Sequence, residues 1–291
     1  MQTYHTMAIA YDFDGTLAPG NMQEHKFIPE LGIGKRDFWE QANELAERND
    51  MDGILAYMQL MLQKAKENNL PINKSAFENY GKTITFFNGV ETYFDRINSY
   101  AHKKKIIIEH HVISSGLREF IHGTSIAKYF KNIFASGFKY NDDDIAEWPA
   151  LAINYTNKTQ YLFRINKGID NSWDDTLINQ YIPDNLRPIP FKDMIYIGDG
   201  ETDVPAMKMI KYQQGTAVAV FNPAITQRPG KESPRKICLD LVKNNRADYI
   251  APADYRENSA LDRIIKRVID KIACEYELLE IKSEQMSEYW Q

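Results

Sequence analysis

Two short acidic segments carry the residue types that the binding of a metal ion requires. Residues 12–16 read Asp-Phe-Asp-Gly-Thr, and residues 198–203 read Gly-Asp-Gly-Glu-Thr-Asp. Carboxylates gathered in one cleft repel one another and raise each other's pKa, and a divalent cation relieves this repulsion. Mg²⁺ prefers one or two carboxylates, a carbonyl oxygen and water as ligands. The two segments therefore predict a Mg²⁺ site, provided that the fold brings them together.

The elements that precede the acidic segments are short apolar runs. Residues 7–11 lead into the first segment and residues 194–197 into the second, and similar runs occupy 106–113 and 217–221. Near-continuous apolar runs that alternate with helical patterns indicate an α/β fold with a doubly wound parallel sheet. Because the carboxyl ends of parallel strands open onto one crevice at the topological switch point, we expect the acidic segments to meet there.

Residues 18–90 show helical rather than strand spacing, which predicts an all-helical insertion in a core made of residues 1–17 and 91–291. The large apolar side chains of the insertion are expected mostly in the core, although they could line a pocket; they are Met51, Met58, Met61, Phe86 and Phe87. Farther along, segments 151–155 and 160–163 are interpreted as a hairpin with Asn157-Lys158 at its tip. The aspartate run 142–144 is interpreted as a solvated turn.

Two further features lie between the acidic segments. Ser114 closes a strand, and Lys167-Gly168 is interpreted as opening a helix. In this order, the four features resemble the motifs of the haloacid dehalogenase-like hydrolase superfamily. In that family a helical cap follows the first motif, and the layout of this chain is most similar to the phosphoserine phosphatase branch. The resemblance thus implies that the helical insertion is a cap.

The resemblance implies a role for each matching residue. Asp12 would be the nucleophile that forms an aspartyl phosphate, and Asp14 the general acid and base. Lys167 would offset negative charge on Asp12 and on the phosphoryl group. Lys158 and Lys192 lie in the same part of the chain as Lys167 and could take this role instead. A second aspartate distinguishes the phosphatases of the family from its dehalogenases, so Asp14 favours phosphoryl chemistry.

Phosphate and metal binding are implied in the same way. The Ser114 hydroxyl and the backbone N–H groups of Ser115 and Gly116 would bind the phosphate. The metal would be held by Asp12, by Asp14 through its backbone carbonyl, and by Asp199. Asp203 would hold a metal-bound water or Lys167, and the Thr202 hydroxyl would reach the phosphate or metal-bound waters.

The composition excludes several other classes of protein. The formal net charge of −5 over 291 residues argues against a nucleic-acid partner. No apolar stretch approaches the length of a membrane span, and Met1–His5 has no signal-peptide pattern. Cys238 and Cys274 suggest reduced thiols, and the histidines form no metal-binding pattern. We therefore expect a cytoplasmic protein with no membrane partner; the oligomeric state is left undetermined.

Three functions remain open for such a site. The first is a Mg²⁺-dependent phosphatase acting on a small phosphorylated metabolite, since a cap over the cleft selects small substrates. The second is a phosphotransferase or mutase that uses the same intermediate, and the third is a non-catalytic phosphometabolite-binding protein. Charged side chains of the insertion could bind the polar end of a substrate; these are Glu24, His25, Lys35, Arg36 and Arg48.

Overall fold

A seven-stranded sheet forms the centre of this computed structural model, which describes residues 4–227 and 232–289. Residues 1–3, on which part of the expectation about a signal peptide rested, lie outside the described residues. The strands in chain order are β1 His5–Tyr11, β2 Ile106–Leu117, β3 Phe130–Tyr140, β4 Ala146–Leu151, β5 Met194–Gly198, β6 Thr216–Phe221 and β7 Tyr249–Pro252.

The sheet order is β4-β3-β2-β1-β5-β6-β7. All neighbours are parallel except β3 and β4, which are antiparallel. The chain leaves β1 toward β2 on one side and reaches β5 on the other, so the topological switch point lies at the carboxyl end of β1. The predicted fold class, a doubly wound α/β sheet with a helical insertion, is confirmed.

Eleven α-helices lie within the described ranges. They are α1 Phe27–Glu30, α2 Lys35–Asn49, α3 Gly53–Glu67, α4 Lys74–Gly81, α5 Val90–His102, α6 Arg118–His122, α7 Lys158–Lys167, α8 Asp175–Asn179, α9 Val204–Tyr212, α10 Pro234–Lys243 and α11 Ala260–Tyr289. None of these helices combines the length and the apolar character that a membrane span requires.

Alternate residues of β1 point to opposite faces of the sheet, as the period of a strand dictates. Ile9 and Tyr11 belong to an apolar cluster with α5, α11 and the helical insertion. Ala8 and Ala10 belong to a second cluster with α7, α9 and α10. Burial on both faces explains why the strands are apolar runs without alternation.

The insertion between β1 and β2 contains no strand among its described residues, as expected. Met58 and Met61 are buried in the apolar cluster that the insertion shares with the sheet, and Phe86 packs against it. These side chains therefore stabilise the packing of the insertion on the core. The division of the chain after residues 17 and 90 stays a prediction.

The interpretation of residues 151–163 as a hairpin is wrong. The antiparallel pair is β3 with β4, and the aspartate run lies in the turn between them, where Asn141 Oδ1 accepts the N–H groups of Asp143 and Ile145. Residues 158–163 belong to α7 instead. A short apolar run does not by itself distinguish a strand from a buried helical face.

Candidate active site

The switch point brings the two acidic segments together. Asp12 follows β1 and Asp199 follows β5, and these strands are neighbours in the sheet. The Asp12 N–H donates to the Ile197 carbonyl at 2.9 Å, which extends the pairing of the two strands into the first loop. Both aspartates line a cavity of about 450 Å³ between the strand ends and the helical insertion.

The first loop turns at Gly15, where the backbone has φ +76° and the Asp199 carboxylate approaches closely. A Cβ at this position would lie 2.1 Å from Asp199 Oδ2. Glycine is required here for both its left-handed conformation and its missing side chain. Gly15 therefore lets the carboxylate of the second segment pack against the first segment.

Asp14 also lines the cavity, and its Oδ1 accepts the Met22 N–H at 2.9 Å. Met22 begins a short 3₁₀ helix at the start of the insertion. The carboxylate is thus oriented by the segment that leads from the core into the helical insertion, so its position depends on both parts of the chain.

Lys158, the first residue of α7, is the lysine that lies at the site. Its Nζ donates to Asp12 Oδ1 at 2.9 Å and to Asp203 Oδ1 at 2.7 Å, and its side chain is only 1% exposed. Burial alone would lower the pKa of Lys158, but the charges of Asp12 and Asp203 outweigh this effect and raise it above its usual value. The lysine is therefore a permanent cation beside Asp12.

The prediction that Lys167 lies at the phosphate site is wrong. Lys167 ends α7, and its Nζ donates to the carbonyls of Ile178 and Gln180 at 2.6 and 2.7 Å. Nine residues on one helix separate it from Lys158, which corresponds to about 13 Å. Gly168 has φ +70° and caps the end of the helix. A Lys-Gly pair at a helix end was the sequence signal that could have prevented the error.

Asp203 is fully buried beneath the cavity, and hydrogen bonds occupy both of its carboxylate oxygens. Lys158 and the Tyr196 hydroxyl donate to Oδ1, and the Asp199 N–H donates to Oδ2 at 3.1 Å. Asp203 therefore holds Lys158 and the backbone of the second segment in place. The lysine that it binds is Lys158, whereas the resemblance had implied Lys167.

The residues expected to bind phosphate line the same cavity. Ser114, Ser115 and Gly116 line it at the end of β2, and Thr202 lines it from the second segment. The Gly116 N–H donates to Ser114 Oγ at 3.0 Å, so this N–H contributes by orienting the hydroxyl. The Tyr57 hydroxyl donates to the Ser115 carbonyl at 2.7 Å and connects helix α3 of the insertion to this wall.

Burial and mutual repulsion shift the acid–base properties of the first segment. Burial raises the pKa of Asp12; the Lys158 charge opposes this shift and the Asp203 charge adds to it. Burial and the neighbouring Asp12 charge raise the pKa of Asp14 well above its usual value. Aspartates with raised pKa values at the floor of a cavity are candidates for proton transfer.

The same repulsion makes the site suitable for a cation. One carboxylate oxygen from each of Asp12, Asp199 and Asp203 lies within 4.8 Å of the others. Because hydrogen bonds already occupy both oxygens of Asp203, we expect Asp12 and Asp199 to supply the carboxylate ligands. Gly15 lets the Asp199 carboxylate approach the first segment closely, and the hard oxygen donors of the two aspartates fit a small divalent ion.

The charged side chains of the insertion do not line the cavity. Glu24 accepts from Trp39 Nε1 at 2.9 Å and from Asn21 Nδ2 at 2.7 Å, and it forms an ion pair with Lys35. His25 contacts the Pro19 carbonyl, and Arg36 pairs with Glu40 at the surface. Neither these residues nor Arg48 belongs to the cavity wall, whereas Phe87 of the apolar set does.

The chain belongs to the haloacid dehalogenase-like hydrolase family, whose model matches residues 9–208. A protein from Borreliella burgdorferi strain B31, described only as uncharacterized, is 31% identical over 279 residues, which cover 88% of this chain and 93% of that protein. The match to the family spans both acidic segments and includes Lys158.

Two solved structures share the fold. A haloacid dehalogenase family hydrolase from Salmonella enterica serovar Typhi superposes with a TM-score of 0.54 at 16% identity, covering 91% of this chain and 71% of that one. A phosphoserine phosphatase carrying a phospho-aspartyl intermediate analogue superposes with a TM-score of 0.51 at 15% identity, covering 90% and 99%. At such identities the likeness shows the fold, which this chain shares with a phosphoserine phosphatase.

Proposed function

We propose that this protein is a Mg²⁺-dependent phosphatase that hydrolyses a small phosphorylated metabolite through an aspartyl phosphate on Asp12. The observation that supports this most is the arrangement of Asp12 and Asp14 in one cavity, with the Lys158 cation 2.9 Å from Asp12 Oδ1. A protein that only binds phosphate has no need of a nucleophile and a proton donor two residues apart.

In the first half of the reaction, a carboxylate oxygen of Asp12 attacks phosphorus, and the bond from phosphorus to the leaving-group oxygen breaks. Lys158 restrains the attacking carboxylate and offsets its charge, and Ser114 donates its hydroxyl to a phosphoryl oxygen. Burial and the Asp12 charge raise the pKa of Asp14, which favours its protonated form, and this proton passes to the leaving oxygen.

In the second half, the Asp14 carboxylate takes a proton from water, and the resulting nucleophile attacks phosphorus. The bond between phosphorus and Asp12 breaks, which releases inorganic phosphate and restores both aspartates. Asp12 and Asp199, with the backbone carbonyl of Asp14, would hold Mg²⁺, which when bound supplies Lewis-acid neutralisation of the phosphoryl oxygens.

The experiment that tests the proposal is a p-nitrophenyl phosphate assay with MgCl₂. We expect turnover that EDTA abolishes and that is lost in Asp12→Asn and Asp14→Asn. Asp142→Asn, in the exposed turn between β3 and β4, is the matched control and should retain full activity. Full activity in Asp12→Asn, or an inert wild type across a broad panel of phosphomonoesters, would refute the proposal.

A phosphotransferase or mutase would use the same residues and differ only in the acceptor. Measuring free against transferred phosphate in the presence of small alcohols separates the two, and we expect mainly free phosphate.

We also propose that no nucleic acid or membrane takes part and that the protein acts in the cytoplasm. The grounds are the net charge of −5 and the lack of a long apolar stretch in the sequence.

A further inference from the structure

Much of the cavity lining is apolar and aromatic. This part is formed by Trp39, Ile54, Tyr57, Phe87, Tyr155, Phe221 and Ile225. Aromatic side chains that line a binding cavity pack against the apolar faces of a ring and exclude water. The part of the substrate beyond the phosphate is therefore expected to present flat or C–H-rich surfaces.

Charge complementarity to an amino-acid leaving group is missing from this lining. Among the described residues that line the cavity, Lys158 is the one cation, and Asp12 and Asp203 already occupy it. The carboxylates that line the cavity are those of Asp12, Asp14 and Asp199, where we expect the phosphate to bind. A zwitterion would lose its hydration here without gaining a matching ion pair, which disfavours its binding.

One polar side chain of this region has an unused hydrogen-bonding atom. Gln23 lines the cavity, is only 2% exposed, and has an Oε1 without a hydrogen-bond partner among the described residues. A buried acceptor without a donor is unfavourable, so such an atom at a binding site indicates a donor that arrives with the ligand. An uncharged hydroxyl meets this requirement.

We propose that the substrate is the phosphate monoester of an uncharged, hydroxyl-bearing ring alcohol, of the sugar phosphate class, and that Gln23 selects it. Gln23 Oε1 accepts a hydrogen bond from a ring hydroxyl, and the aromatic part of the lining packs against the C–H face of the ring. This inference rests on the proposed phosphatase function, and it sets the protein apart from enzymes that act on phosphoserine.

The first test compares kcat/KM for a panel of monosaccharide phosphates with that for O-phospho-L-serine, after turnover of p-nitrophenyl phosphate has been established. We expect the best sugar phosphate to exceed phosphoserine by at least tenfold. A preference for phosphoserine would overturn the inference while leaving the phosphatase function intact. Absence of p-nitrophenyl phosphate turnover would count against the phosphatase function itself.

The second test identifies the hydroxyl that Gln23 binds. Single-deoxy analogues of the best sugar phosphate are compared in the wild type and in Gln23→Met, which keeps the side chain long but removes the acceptor. We expect one deoxy position to raise KM roughly tenfold in the wild type and to have no effect in the variant, with kcat changed less than about twofold.

The matched control for this test is Gln63→Met, an exposed glutamine on α3 outside the cavity, which should respond to the deoxy analogues as the wild type does. If Gln23→Met raises KM equally for the parent sugar phosphate and all its deoxy analogues, or leaves every KM unchanged, Gln23 does not select the hydroxyl and the assignment is wrong.

Discussion

Exchanging Lys158 for methionine is the sharpest test of which lysine serves the site. Methionine keeps most of the length and apolar volume of the side chain but removes the charge. Lys158 Nζ lies 2.9 Å from Asp12 Oδ1 and 2.7 Å from Asp203 Oδ1, and all three side chains are buried. The variant thus leaves two buried carboxylates without their cation.

The size of the effect follows from this burial. Removing one partner of a buried ion pair costs roughly 3–5 kcal/mol of unfolding free energy. At about 2–4 °C per kcal/mol, the melting temperature of Lys158→Met should fall by roughly 10 °C. Loss of one charge-stabilising donor at a reacting phosphoryl group should lower kcat by roughly 10²–10³.

Lys167→Met provides the matched control on the same helix. Lys167 is partly exposed and loses only two hydrogen bonds to carbonyls, so we expect a loss of about 1–2 kcal/mol and a kcat within about twofold of the wild type. Melting is followed by circular dichroism in EDTA, and kcat with p-nitrophenyl phosphate and MgCl₂. A large loss of kcat in Lys167→Met with normal turnover in Lys158→Met would refute the assignment.

Three further predictions concern the core and the metal site. Burial lowers the pKa of His110 to about 3, whereas a histidine in the unfolded chain has a pKa near 6.5. Because the unfolded state then binds a proton that the folded state does not, the free energy of unfolding declines as the pH falls below 6.5. At pH 5 the decline should be about 2 kcal/mol. Urea unfolding at pH 8 and pH 5 measures the difference in unfolding free energy. This difference should be about 2 kcal/mol smaller in His110→Gln than in the wild type, and an unchanged difference would show that His110 is not its cause. Gly15→Ala should lower kcat at least about tenfold because its Cβ displaces Asp199, whereas Gly20→Ala, at φ +73° with its nearest atom 3.6 Å away, should keep kcat. MgCl₂ at ten times its Kd should stabilise the wild type by about 1.4 kcal/mol in thermal melts, and an equal gain in Asp199→Asn would show that the ion binds elsewhere.

Much of the fold could be predicted because its signals are local. The apolar runs before Asp12 and Asp199 are long enough to indicate strands buried on both faces, and the topology of parallel sheets places their ends at one crevice. The position of Ser114 at the cavity follows from the same reasoning, since it lies near the carboxyl end of β2. The hairpin prediction failed because residues 158–163 belong to α7, where Tyr161 and Leu162 are buried, and a short apolar run of this kind resembles a strand.

The sequence alone was enough to predict the family and the parts of the site, namely two acidic segments after parallel strands, a serine near the end of a third strand, and a helical insertion. Which lysine lies beside Asp12, and which apolar side chains line the cavity, became known from the three-dimensional arrangement. A lysine can be assigned to the site only once the position of its helix is known. Lys158 and Lys167 lie on the same helix, but Lys158 is buried at the site, whereas Lys167 binds backbone carbonyls outside it. The unpartnered Gln23 oxygen likewise becomes visible only in the folded cavity, where no described group donates to it and where we propose that a ligand hydroxyl does.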